Sequence, residues 1–164
     1  MFDLINGLPV HPLVVHAVVV LLPLAVLGTL AIAVVPRWRL RYGPLVIADA
    51  ALVTVLCPIA TSSGESLEER VGDPGQHADL GETLVWFAAA LLIVSALLWF
   101  LERRRAAGRT GAPRGLVTAV AVLAMVVSLA SAVQVYRVGD SGARAAWGDQ
   151  VTSSTPQHGD DDAD

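Results

Sequence analysis

Apolar residues fall into four long blocks, and the short stretches between them hold almost all of the charge. Blocks 13–35, 80–101 and 116–138 are long and nearly uncharged, whereas block 44–60 is shorter and carries Asp49 near its start. A helix that crosses a hydrocarbon core of roughly 30 Å needs about 20 predominantly apolar residues. The pattern therefore predicts an all-α fold, a four-helix transmembrane bundle of two hairpins. The short second block is needed as a span, because without it the two arginine-rich connections would fall on opposite sides of the membrane.

Those connections set the orientation. The first holds Arg37, Arg39 and Arg41, and the other holds Arg103, Arg104, Arg105, Arg109 and Arg114. Arginine-rich short loops stay cytoplasmic. The stretch TSSGESLEERVGDPGQHAD is acidic and reads as an outer loop, and the C-terminal segment ends in Asp160, Asp161, Asp162 and Asp164. Both termini are thus expected outside a multi-pass protein of the cell membrane. Trp86 and Trp99, near opposite ends of the third span, and Trp38 and Tyr42, in the first inner connection, fit interfacial anchors. Small residues such as Ala124, Ser128 and Ala132 recur at helical spacing and favour close helix packing. Pro23 and Pro58 are expected to kink their helices. Residues 1–150 form one domain in this reading, and 151–164 form a disordered acidic tail.

Composition agrees with a bilayer as solvent. The chain has 164 residues, 54% hydrophobic and 16% charged, with mean hydropathy +0.60. That is too apolar for a soluble domain of this length. A net charge of −4 and pI near 5.5 give no basic footprint, so nucleic acid is excluded as a partner. The lone Cys57 cannot form an intrachain disulfide and reads as a packing residue. The first apolar run has no preceding Lys or Arg and no clean cleavage box, so it reads as a retained helix.

One motif order occurs twice: histidine, helix, arginine-rich connection, helix, Ser-Gly. His11 and His16 open the first hairpin and Ser63-Gly64 close it; His77 opens the second and Ser141-Gly142 close it. This suggests two similarly oriented hairpins about a pseudo-twofold axis along the membrane normal.

The segments LPVHPLVVHAVVVLLPLA, HADLGETL and YRVGDSGARAAWG together resemble the bacterial membrane-protein family termed domain of unknown function 2231, over roughly residues 5–148, with HPxxVH as the most specific part. The resemblance implies a four-helix membrane domain in a redox setting, since some relatives resemble fusions to Rieske-type or cytochrome c modules. This chain carries no such module. Some relatives have a histidine near the closing glycine motif; Asp140 stands there in this chain, so the resemblance carries no ligand over to that position.

The candidate site is the histidine set at the outer ends. His11 and His16 are five residues apart, about 140° of helical rotation, so they cannot face one direction. Pro12 suits a first helical turn, which leaves His11 at the cap and makes His16 the better candidate to point into the bundle. In the first reading, His16 and His77 are axial ligands of a b-type haem, with His11 as alternative ligand or outer donor, in an electron-transfer subunit serving a larger redox protein. In a second, His11, His16 and His77, with Glu82 or Asp140, bind zinc or copper in a metal-handling or small transport protein. In a third, the histidines tie the outer segments to an accessory bundle that carries no enzymatic activity. Self-association into a homo-oligomer is compatible with all three. Asp49 is expected to snorkel or to pair with an inner arginine, and Gln134 and Arg137 to pair with the outer acidic loop. No histidine base stands beside the Ser-Gly pairs and no glycine-rich phosphate loop is present, which argues against hydrolase and nucleotide-binding roles.

Overall fold

The computed structural model describes residues 4–5, 8–72, 75–108 and 113–153. A two-rung antiparallel ladder of β1 (Leu4–Ile5) and β2 (Leu8–Pro9) leads into α1 (Val10–Val34). The elements that follow among the described residues are all helices: α2 (Pro36–Val71), the short α3 (Gln76–Glu82), α4 (Leu84–Ala106) and α5 (Arg114–Ser153). Four stretches are long and apolar enough to cross a membrane: Val10–Val34, Pro36–Glu69, Gln76–Ala106 and Arg114–Trp147.

The helices are longer than the apolar blocks that announced them. Only Val35 separates α1 from α2. It is extended at φ −111°, ψ 91°, as a residue before proline prefers, and Pro36 then opens α2 where a missing N–H costs nothing. The arginines expected in a first inner loop are therefore helical. At the other end α2 runs on through residues 61–71, expected as loop, and stops at Gly72, whose φ of +97° suits glycine. Beyond the cluster TSSGES lie Leu67, Glu68 and Glu69, good helix formers that carry the helix onward. Likewise α5 passes through YRVGDSGARAAWG to Ser153. Residues 151–153 of the expected tail thus belong to α5, and 154–164 lie outside the described residues. Pro23, Pro44 and Pro58 all sit inside unbroken helices.

In the bundle α1 packs between α2 and α5, and α4 packs between the same two helices from the other side, which leaves α1 and α4 on a diagonal. The two halves repeat each other position by position. Along α1 the buried residues Val18, Leu22, Ala25, Thr29 and Ile32 correspond at one constant spacing to Leu84, Ala88, Leu91, Ser95 and Leu98 of α4. The second helices match at another constant spacing: Val46 with Ala124, Ala50 with Ser128 and Val53 with Ser131. Thr29 and Ser95 bond each other across the diagonal, Oγ1 to Oγ at 2.9 Å, 66 residues apart, and so mark the pseudo-twofold axis. Large and small alternate around it, since Leu22 corresponds to Ala88 and Ala25 to Leu91. That exchange lets equivalent positions interdigitate.

At the arginine-rich end the symmetry is broken by a buried cation. Arg39 is 6% exposed; its Nε donates to the Ile32 carbonyl and its Nη2 to that of Ala33, both at the C-terminal end of α1. Its Nη1 reaches Glu102 of α4 at 3.1 Å. One guanidinium thus satisfies carbonyls that the helix end leaves open and joins three helices. Asp49, expected to snorkel or to pair with an inner arginine, has an Oδ1 that is buried and without a partner among the described residues.

Candidate functional site

At the opposite end, α1, α2, α3 and α5 diverge around a vestibule of about 340 Å³. Its base is apolar, formed by Val18, Leu84 and Cys57 at the top of the core, and Val15, Ala60, Val138, Ala145 and Ala146 wall it. Two histidines line it, His11 from the first turn of α1 and His77 from the first turn of α3.

Both imidazoles are held by the same device. His11 Nδ1 lies 2.9 Å from the Ala60 carbonyl and 3.4 Å from Ser63 Oγ; Ser63 Oγ donates to that same carbonyl. His77 Nδ1 lies 3.2 Å from the Val138 carbonyl and 3.4 Å from Ser141 Oγ, which likewise donates to Val138. A carbonyl only accepts, so each Nδ1 carries a proton, and in the neutral imidazole that tautomer leaves the Nε2 lone pair for another partner. No hydrogen bond to either Nε2 is present among the described residues. The glycine after each serine completes the seat. A Cβ on Gly64 would stand 3.0 Å from His11 Cε1, and one on Gly142 2.9 Å from His77 Cε1. Glycine inside a helix costs about 1 kcal/mol relative to alanine, and here the ring edge occupies the space a side chain would take. The Ser-Gly pairs, expected from the sequence to have no histidine beside them, each stand against one, because the fold brings α1 to α2 and α3 to α5; they are the other half of each histidine's seat.

Of the remaining candidates, His16 and Asp140 lie elsewhere, whereas Glu82 shares the vestibule. His16 is exposed, bonds through Nδ1 to the Pro12 carbonyl one turn earlier, and stands outside the vestibule lining. Because α1 starts at Val10, His11 is already helical, and the rotation that separates the two rings turns His11 toward α2 and His16 away. Glu82, the last residue of α3, lines the vestibule with Glu65 and Glu68 of α2. Asp140 is engaged by Arg144 at 2.9 Å in an exposed pair. Among the described residues, no three of His, Cys, Asp and Glu converge as a metal ion requires. Gln134, expected to meet acidic side chains, instead is buried and donates to the Leu80 carbonyl and, at 2.7 Å, to Thr83 Oγ1. It thereby closes the break between α3 and α4 and fixes the helix that carries His77.

Over residues 7–155 the chain matches the family described as predicted membrane protein, domain of unknown function 2231. No curated protein and no solved structure matches it.

Proposed function

Since the chain belongs to that family of membrane proteins, whose description carries no activity, we propose a role from the vestibule itself: a small electron-transfer subunit that holds haem b between His11 and His77. The observation that carries this reading is the pair of Nδ1-anchored imidazoles, each with an Nε2 that bonds nothing among the described residues, on one apolar cavity. Anchoring of the distal nitrogen to a carbonyl is how metal-bound histidines are oriented and made more basic. Two imidazoles without a third protein ligand are too few for zinc, which takes three or four. They would suit a haem iron, most of whose ligands come from its own macrocycle, with His11 and His77 as the residues that would hold it. A haem bound there supplies one-electron chemistry; the chain's part is to orient both rings and to keep the base of the cavity dry. The carboxylates of Glu65, Glu68 and Glu82 at the rim favour a redox partner with a basic face.

The purified protein, expressed with ample haem, is expected to show a Soret band and, after dithionite, a sharp α band. His11→Ala or His77→Ala should each abolish the six-coordinate spectrum, and His16→Ala should leave it unchanged. A colourless, folded protein would instead favour a second reading, an accessory bundle in which the same two hydrogen bonds only tie α1 to α2 and α3 to α5.

The reading places the vestibule outside the cell membrane, with both termini on that side and the arginine-rich end in the cytoplasm. An alkaline phosphatase fused after residue 164 is expected to be active and a fluorescent protein fused there dark. The reverse pattern would sink this orientation.

A further inference from the structure

Asp49 stands deeper in the membrane than its place near the start of an apolar block implies. Close contacts on two sides of α2 set its level. On α1, Gly28 meets Val46 and His11 meets Gly64, so the two helices run antiparallel and Asp49 lies level with Ala25. On α4, Trp99 meets Gly43 and Glu102 meets Arg39, and the same register brings Asp49 level with Ile93. The internal repeat gives the same depth. At the spacing that matches Ala50 with Ser128, Asp49 corresponds to Val127, in the middle of the apolar block 116–138. Val127 packs against both halves of the core, so the fold asks for an apolar side chain at this position and α2 supplies a carboxyl.

Nothing at this depth balances a charge. Asp49 is half-buried, and its Oδ1 is enclosed without a hydrogen-bond partner among the described residues. Residues 17–34 of α1 and 84–101 of α4 contain no titratable group, and α3 brings His77, Asp79 and Glu82 to the vestibule end. Along α2 the nearest such groups are Arg41, Tyr42 and Cys57, about 10 to 12 Å away in helix rise. Arg39 is committed to Ile32, Ala33 and Glu102. Whatever part of the Asp49 side chain the protein leaves uncovered meets hydrocarbon rather than water. In such surroundings an isolated carboxylate is far costlier than the neutral acid. A metal cation would need several further oxygens, and the hydroxyls on the flanking turns are engaged, Thr54 with the Ala50 carbonyl and Thr29 with Ser95. A proton is the one cation that a single carboxyl holds without help.

We propose that Asp49 is a proton-binding site midway across the membrane, a carboxyl held as the neutral acid at neutral pH and independent of the vestibule.

The test uses the full chain in phosphatidylcholine vesicles at neutral pH, followed by infrared spectroscopy and by reaction with dicyclohexylcarbodiimide, which partitions into lipid. The spectrum should contain the carbonyl stretch of a neutral carboxylic acid, and Asp49→Asn should remove it. The reagent should add once. One of its nitrogens takes the carboxyl proton, the carboxylate oxygen bonds the central carbon, and the acyl group then migrates to nitrogen, so the full mass of the reagent is retained. Asp49→Asn should lose this adduct, and Glu82→Gln, at the vestibule, should keep both signals. Asp49→Asn and Asp49→Val should melt with the parent, since neither removes a bonded partner and valine is the residue at the matching position of α5. A spectrum with no acid band that depends on Asp49, an adduct that survives Asp49→Asn, or a dimer of the parent that Asp49→Val takes apart would each overturn the proposal. The last would make the carboxyl a contact between subunits.

Discussion

Arg39→Met is expected to destabilise the protein by about 3 kcal/mol, measured by SDS-induced or thermal unfolding in a fixed detergent. The substitution keeps the length and apolar stem of the side chain and removes three hydrogen bonds at once. It leaves the carbonyls of Ile32 and Ala33 open at the end of α1 and Glu102 without its cation. Breaking a buried pair from one side costs more than the pair contributed, because the remaining charge is stranded in a poor solvent. Arg39→Lys should recover only part of the loss, since an ammonium cannot span two carbonyls and a carboxylate with the guanidinium's fork. Arg41→Met, which removes only an exposed stacking contact, should cost no more than about 1 kcal/mol. An Arg39→Met protein within 1 kcal/mol of the parent would show that water replaces all three bonds.

Leu91→Ala is expected to cost about 2 kcal/mol or more by the same measurement. Leu91 is fully buried on α4, in the cluster that also holds Ala25, its counterpart on α1. In lipid the unfolded helices do not return to water, so the cost comes from lost packing around the new void rather than from hydration. The internal repeat adds a sharper expectation. Ala25→Leu alone should overpack the axis, whereas Ala25→Leu with Leu91→Ala exchanges the two halves' side chains at constant volume and should recover part of the stability. If the double variant is no better than the sum of the singles, then the two positions fill separate spaces.

Spans, pairing into hairpins and the twofold order of motifs were legible because apolar length and arginine placement answer directly to the bilayer. Helix ends were less so. Ser62, Ser63 and Gly64 look like a terminus, yet hydrogen bonds from the serine to a carbonyl one turn back and a histidine packed on the glycine keep them helical. Choosing between His11 and His16 needed the buried face of α1: Val18 and Leu22, seven and eleven residues on, share the side of His11 and leave His16 turned away. Nothing in the string Arg-Trp-Arg-Leu-Arg says which guanidinium turns inward, because that depends on where α4 brings Glu102. One signal was available and passed over: His11 to Thr29 and His77 to Ser95 have the same spacing, and extending that register along both helices yields the buried faces.

The length of α2 and α5 has a consequence for anything that approaches the two imidazoles. Past Gly64, α2 continues to Val71, and past Gly142, α5 continues to Ser153. At 1.5 Å per residue these parapets rise about 10 Å and about 16 Å above the glycines. A small molecule can descend between them, but a globular protein comes to rest on the taller one first, tilted across the well and held off its floor. Contact with such a partner is thus at arm's length, and shortening α5 by two turns is the way to lower it onto the rings.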